Sequence, residues 1–506
     1  MNKFYSFRRL SGTICLLGLF ISCIVRPSDR PSSPNVIVIN LDDLGYGDIS
    51  SYGATALATP NIDRLAMGGL RFTDGHSTSA TCTPSRFALL TGVYPWRNAN
   101  ARILAGDAPL LIDTAMSTMP KLFKKAGYTT AVVGKWHLGL GDGNLDWNTH
   151  IAPGPNELGF DHSFIMAATQ DRVPTVYIED GYVVGLDPSD PIQVDYKDNF
   201  EGEPTAFDHP EMLRMKWAHG HNNSIVNGIP RIGYMKGGTE ARWVDEDVSD
   251  TFFEKVRRYI QENRDTPFFL YYALQQPHVP RTPDPRFVGK TSMGPRGDAI
   301  IEADWYIGAL LDLLEEMSLT ERTLLVFTSD NGPVVNDGYQ DDAVERLGNH
   351  RPGGMLRGGK YSLFEAGTRV PFITYWPGVI KPGVSDALVS QMDLLASFGQ
   401  LVGVKVADTD SQDLLATLLG NRNEGRNELV MEAGRRTAFR QGKWVMIPPY
   451  PGPPIKKTVA IETGNGDQYQ LYDLENDLSQ RENVALQYPE KLQELIKEYE
   501  KSLGND

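Results

Sequence analysis

Apolar residues follow two spacings along this chain, and the two alternate. Residues 36–39, 129–133, 268–273, 323–328 and 370–376 are short, nearly unbroken apolar runs. That is the pattern of strands buried on both faces of a parallel sheet. Residues 61–70, 119–126, 245–263, 298–317 and 390–402 read as helices. In 245–263 the residues Phe252, Val256 and Ile260 line up on one face, the stripe of an amphipathic helix. Thr59-Pro60 opens the first helix and Gly127 closes the second. Strand, loop and helix in repetition predict an α/β fold with a large, mainly parallel sheet sandwiched by helices. Beyond Leu419 the pattern changes. The polar stretch 421–427 marks a boundary, 437–447 and 468–474 read as antiparallel strands, and 489–503 as a terminal helix. The expected organisation is therefore a main domain, 35–420, and a smaller C-terminal subdomain, 421–506. Residues 144–243 are rich in Pro, Gly, Asp and His. They are too many for one structureless loop and predict an excursion that shapes a substrate pocket.

The first 22 residues follow another logic. Lys3, Arg8 and Arg9 precede an apolar run from Ile14 to Ile21, too short to anchor a chain across a bilayer and typical of a secretory targeting segment. The run ends Leu19-Phe20-Ile21-Ser22-Cys23, which resembles a bacterial lipoprotein cleavage site, with Phe20 where Leu is usual. The expectation is an exported chain, periplasmic or on the cell surface, that begins at a lipidated Cys23; cleavage with release is the alternative. Residues 23–34, with their prolines and serines, form a short tether. Membrane contact is expected only through that lipid. The cysteines are Cys15, Cys23 and Cys82, so processing leaves Cys82 without a partner, a reactive or modified residue. A net charge of -15 excludes nucleic acid as a partner. It also means that an anionic substrate needs a local cluster of cations.

Candidate chemistry gathers where the predicted strands end. Asp42-Asp43, Lys135-Trp136-His137, His278 and Asp330-Asn331 each follow a buried run at its carboxyl end, the edge of an open α/β sheet where ligands bind. Asp42, Asp43, Asp330 and Asn331 are either turn and cap residues or an all-oxygen ligand set suited to Ca2+ or Mg2+ rather than zinc. Lys135 and His137 share one face of extended backbone. A histidine such as His278 can donate a proton near neutrality. Lys360 follows Gly358-Gly359, where backbone and ammonium can approach a small anion. Cys82-Thr83-Pro84-Ser85-Arg86, continuing to Leu89-Leu90-Thr91-Gly92, places a thiol at the mouth of a short helix. It is a structural cysteine or an activated nucleophile.

This last stretch, C-T-P-S-R-x-x-x-L-T-G, resembles the signature of type I sulfatases of the alkaline phosphatase superfamily. The likeness runs from about Asn35 to the end and includes Gln470-Leu471-Tyr472-Asp473-Leu474. It implies that a formylglycine-generating or anaerobic sulfatase-maturing enzyme oxidises Cys82 to formylglycine, whose hydrate attacks sulfur. One Ca2+ would be held by Asp42, Asp43, Asp330, Asn331 and the modified residue 82. Arg86, one helical turn beyond Cys82, can hold oxygens of the hydrate or of the sulfate; by the same resemblance Lys135 orients the hydrate, and Lys135 and Lys360 hold the sulfate. His278 protonates the leaving alcohol, and His137 takes the proton that restores the aldehyde. Residues 168–174, containing Asp171 and Arg172, and His221 resemble bacterial carbohydrate sulfatases for galactose-configured sugars, close to N-acetylgalactosamine-6-sulfatases. This implies exo-hydrolysis of 6-O-sulfated galactose or N-acetylgalactosamine in mucin or chondroitin-type glycans. The competing readings are a 4-O-sulfatase, a phosphodiesterase or phosphonate hydrolase of the same superfamily, and a non-catalytic lipoprotein that binds sulfated glycans.

Overall fold

Strand Asn35–Leu41 (β1) is buried at every position, so both of its faces need cover, and the chain supplies it. The structure, a computed structural model, describes residues 1–3 and 33–504. Cys15, Cys23 and the expected cleavage site lie outside the described residues. Further strands follow as β2 (Leu70–Phe72), β3 (Thr129–Lys135), β4 (His162–Met166), β5 (Tyr177–Glu179), β6 (Tyr182–Val183), β7 (Phe268–Ala273), β8 (Thr323–Ser329), β9 (Phe372–Tyr375) and β10 (Gly383–Ser385). They make one ten-stranded sheet in the order β10-β2-β9-β8-β1-β7-β3-β4-β5-β6. The central neighbours β8, β1, β7 and β3 are all parallel.

Alternation along β1 divides the core in two. Val36 and Val38 join one cluster with Phe87, Leu122, Phe123 and Phe398. Ile37, Ile39 and Leu41 join the other with Ile62, Phe252, Ile260 and Ile307. Helices α2 (Cys82–Thr91), α3 (Met119–Lys125) and α6 (Leu394–Val402) therefore cover one face, and α1 (Pro60–Gly68), α4 (Val248–Glu262) and α5 (Pro295–Glu316) the other. Burial of each such side chain contributes about 1.5–3 kcal/mol.

The structure moves several element bounds. The first helix stops at Gly68, and Leu70 belongs to β2. Strand β9 lies within 370–376 but runs antiparallel to β8, a direction that an apolar run does not reveal. The excursion is not all loop, because β4, β5 and β6 extend the main sheet. Residues 437–447 are not one strand. They form a hairpin of Arg436–Gln441 and Trp444–Ile447, turned at Gly442, whose φ is 57°. Glu428–Ala433 and Gln470–Asp473 complete an antiparallel four-stranded sheet, and the helix Pro489–Leu503 packs on it through Leu495. This small sheet shares a core with Ala80, Ala88 and Phe364. The buried Arg440–Asp74 ion pair, at 2.5 Å, fastens it to the main sheet's neighbourhood.

Candidate active site

The four adjacent parallel strands deliver their following residues to one place. Regular extension would send Asp42 and Asp43 to opposite sides. Asp43 instead adopts a φ of 63° and His137 one of 54°, a left-handed backbone that side chains larger than glycine seldom take and that gathers at functional sites. As a result, one oxygen each of Asp42 and Asp43 and a ring nitrogen of His278 lie within 4.8 Å of one another.

The carboxylates are matched by cations. Lys135 Nζ sits 2.5 Å from Asp42 Oδ2 and 3.8 Å from Asp330 Oδ2. Arg86 Nε donates to Asp330 Oδ2 at 2.8 Å and its Nη1 to the Lys135 carbonyl at 3.0 Å. Arg86 is thus engaged with a carboxylate and the backbone, and it does not line the open cavity. Lys360 Nζ reaches Asp43 Oδ2 at 2.9 Å and Asp337 Oδ2 at 3.1 Å. Asp337 joins the site without any signal in the sequence beyond an ordinary Asp-Gly turn. Asn331 Nδ2 donates to Asp43 Oδ1 at 2.7 Å.

Two acceptors remain without a donor: Asp42 Oδ1 and Asn331 Oδ1 are buried and receive no hydrogen bond. Buried acceptors are rarely left so. Burial pushes the Asp330 carboxyl up to about 6, with the Asp42 carboxylate adding to the effect. Burial likewise raises Asp42 in spite of Lys135. Crowded carboxylates with free oxygens and no sulfur donor fit a hard divalent cation.

Cys82 opens α2 and is 2% exposed. Its Sγ lies 3.3 Å from His137 Nδ1. The other ring nitrogen, Nε2, faces the Leu104 carbonyl at 3.0 Å, so Nε2 carries the hydrogen and Nδ1 is left as an acceptor aimed at residue 82. Burial, then the neighbouring Lys135, hold His137 well below its ordinary value, which keeps that acceptor unprotonated. His278 donates from Nδ1 to the Val279 carbonyl at 2.7 Å, and its Nε2 lies 3.8 Å from Asp43 Oδ2. Burial, then Lys360, push His278 down to about 4.

A cavity of about 180 Å³ opens over these groups. Cys82, His278 and Lys360 line it together with Asp171, Arg172 and His221. Asp171 binds Arg172 Nη1 at 3.0 Å and His221 Nε2 at 2.8 Å, so residues fifty positions apart form one polar group. Tyr361, His219, Lys456 and Thr458 also line the cavity. Nothing in the sequence marks these four as site residues. Lys456 in particular follows a Pro-rich stretch with no motif of its own.

A buried thiol at a helix mouth, an acceptor imidazole nitrogen against it, and a carboxylate cluster on the sheet's carboxyl edge meet at one cavity. Residues 34–404 match the family model described as Sulfatase, and the chain belongs to that family. It is a sulfuric ester hydrolase. It is 51% identical over 467 residues to an N-acetylgalactosamine-6-O-sulfatase from Bacteroides thetaiotaomicron, covering 91% of each chain. It is 31% identical over 419 residues to human N-acetylgalactosamine-6-sulfatase, covering 78% of this chain and 67% of the relative. A solved Bacteroides thetaiotaomicron sulfatase, from work on the metabolism of multiple glycosaminoglycans, superposes with a TM-score of 0.92 at 50% identity. That match covers 93% of this chain and 99% of the other.

Proposed function

We propose that the protein hydrolyses 6-O-sulfate esters at the end of galactose-configured glycans, with 6-sulfated N-acetylgalactosamine as the preferred sugar. The observation that carries this reading is that Asp171, Arg172 and His221 line the same cavity as Cys82, His278 and Lys360. The identity to N-acetylgalactosamine-6-O-sulfatase supports it. Buried carboxylate and guanidinium groups can grip sugar hydroxyls through charge-assisted hydrogen bonds.

Asp42, Asp43, Asp330 and Asn331 would hold one Ca2+, which would supply positive charge beside the sulfate. Four carboxylates, with Asp337 included, face the three cations Arg86, Lys135 and Lys360. That leaves one net negative charge. A bound divalent cation would make it one net positive charge, the complement of a sulfate monoester. Formylglycine at position 82, made by a maturation enzyme, would supply the nucleophile as its hydrate. Lys135 and Lys360 bind and orient the sulfate, and Arg86 fixes Asp330. His137 Nδ1 takes a proton from the group at position 82. His278 Nε2 gives one to the departing alcohol. His278 is neutral in the free site, so the negative charge of bound substrate must raise its proton affinity before it can act as the acid. Preorganised charge of this kind is a large part of what such sites contribute to catalysis.

The test uses protein co-expressed with a maturation enzyme and verified by mass spectrometry at residue 82. Sulfate release is measured from N-acetylgalactosamine 6-sulfate, galactose 6-sulfate and N-acetylgalactosamine 4-sulfate. The expected preference in kcat/KM for 6- over 4-sulfate is about 100-fold or more. Equal or faster release from the 4-sulfate would overturn the assignment.

A further inference from the structure

The cavity mouth carries a cation that these roles leave unused. Residues Ile455–Lys456 and Ile461–Glu462 pair as a hairpin, which brings Lys456, Thr458 and Val459 into the cavity lining. The hairpin is anchored at its base. Arg357 pairs with Glu462 at 2.6 Å. Leu363 N–H donates to the Thr463 carbonyl at 3.1 Å. Arg436 ties the Thr463 carbonyl, at 3.2 Å, to that of Tyr361, at 2.9 Å. The position of Lys456 is therefore set by the fold, against Tyr361, whose ring centre lies 4.5 Å from Nζ.

Lys456 is exposed, whereas Cys82 and Lys360 at the inner end are each 2% exposed. The carboxylates of the cavity are engaged elsewhere: Asp171 by Arg172 and His221, and Asp337 by Lys360. Among the described residues no carboxylate lies within ion-pair distance of Lys456. On a chain with a net charge of -15, an anchored and unneutralised ammonium at the mouth of a substrate cavity favours an anionic occupant. A sugar with its sulfate at the buried end presents its remaining substituents, and the next sugar, at that mouth.

We propose that Lys456 is a specificity-determining residue that recognises a second anionic group of the substrate. That group is a carboxylate on the sugar next to the one in the cavity, or a further sulfate on the same sugar. The inference rests on the reading of the cavity as an exo-acting site for a 6-sulfated sugar. It narrows the substrate to acidic glycans, since a neutral neighbour gains nothing from this cation.

The experiment measures kcat/KM for the matured wild type, Lys456→Ala and Lys456→Arg. Four substrates are compared: N-acetylgalactosamine 6-sulfate, the same sugar linked to a uronic acid, that disaccharide with its carboxylate reduced to the alcohol, and N-acetylgalactosamine 4,6-disulfate. Wild type should favour one of the doubly charged substrates over its singly charged counterpart by about tenfold, the scale of one charge-assisted hydrogen bond. Lys456→Ala should erase that ratio, Lys456→Arg should largely keep it, and added salt should shrink it. A preference for the uronate over its reduced twin assigns the carboxylate; a preference confined to the disulfate assigns the second sulfate. Lys456→Ala lowering every substrate by the same factor, or leaving every ratio unchanged, overturns the proposal. Absent turnover of 6-sulfated sugars by wild type is a failure of the 6-sulfate reading instead. The same ratios are then taken on the sulfated sugar that is hydrolysed, and they decide the role of Lys456 in the same way.

Discussion

Glu302 offers a stability experiment whose sign and size follow from its surroundings. It sits on α5, 2% exposed, and accepts the Asp284 backbone N–H at 3.3 Å. Burial pushes its carboxyl from 4.5 up to about 7, the nearby Asp284 carboxylate adding to the effect, although hydrogen bonds from Gln276 and Ser249 act against it. The folded state then binds a proton that the unfolded chain has released across that interval. The stabilisation is fully present below pH 4.5, declines between pH 4.5 and 7, and is gone above 7. At 1.36 kcal/mol per pH unit, the loss is about 3 kcal/mol. With an unfolding entropy of about 1 kcal/mol/K for a chain of this size, that is about 3 °C in Tm. Glu302→Gln keeps the shape and removes the titration. Thermal melts of both proteins from pH 4.5 to 8.5 give a difference curve in which other titrating groups cancel. The variant should match wild type at the acid end and melt about 3 °C higher at pH 8. A flat difference curve, or one in which the variant loses ground as pH rises, refutes the reasoning.

Three other outcomes are expected. His278→Ala should slow natural sugar sulfates by about 10²–10⁴-fold and an activated aryl sulfate far less, because a good leaving group needs little acid help; equal losses on both substrates would remove His278 from that role. Chelation should abolish turnover and lower Tm, and Ca2+ should restore both; in Asp42→Asn, which forfeits a charged oxygen, Ca2+ should raise Tm much less, and an undiminished rise would exclude Asp42 as a ligand. Growth with labelled palmitate should mark the protein, Cys23→Ala should lose the label, and a variant that keeps it would show that Cys23 is not the lipidated residue.

The polar cluster at the sheet's carboxyl edge was legible because buried parallel strands leave unbroken apolar runs, and the residues that follow each run emerge at that edge. Asp42, Lys135, His278 and Asp330 could be grouped for that reason alone. What stayed hidden depends on contacts between distant segments. Nothing local distinguishes Asp337, yet it shares the Lys360 ammonium. Arg86 has the spacing of a ligand-facing residue on α2, but the fold turns its guanidinium onto Asp330. The direction of β9 and the split of 437–447 at Gly442 were hidden for a related reason. Apolar spacing reports burial, whereas strand direction and a two-residue turn are settled by partners elsewhere in the chain. Lys456 reaches the cavity because Arg436 and Arg357 fasten its hairpin there.

Under the formylglycine maturation proposed above, the burial of Cys82 would set a schedule for making the enzyme. Thr81 to Arg86 are all buried, and the residues just before them are clamped by a strand of the C-terminal sheet. Ala80 N–H donates to the Glu432 carbonyl at 2.7 Å, and Ser79 Oγ to its carboxylate at 2.5 Å. A catalyst for the proposed oxidation of Cys82 would have to grip this peptide in an open form, before that clamp closes. The clamp is translated about 350 residues after the cysteine, so at about 5–20 residues per second the ribosome leaves roughly 20 to 70 seconds for conversion, lengthened by however long docking of the C-terminal sheet takes. Chains that dock before conversion would be sealed as inactive thiols, and the yield of working enzyme would be decided by a race between oxidation and closure.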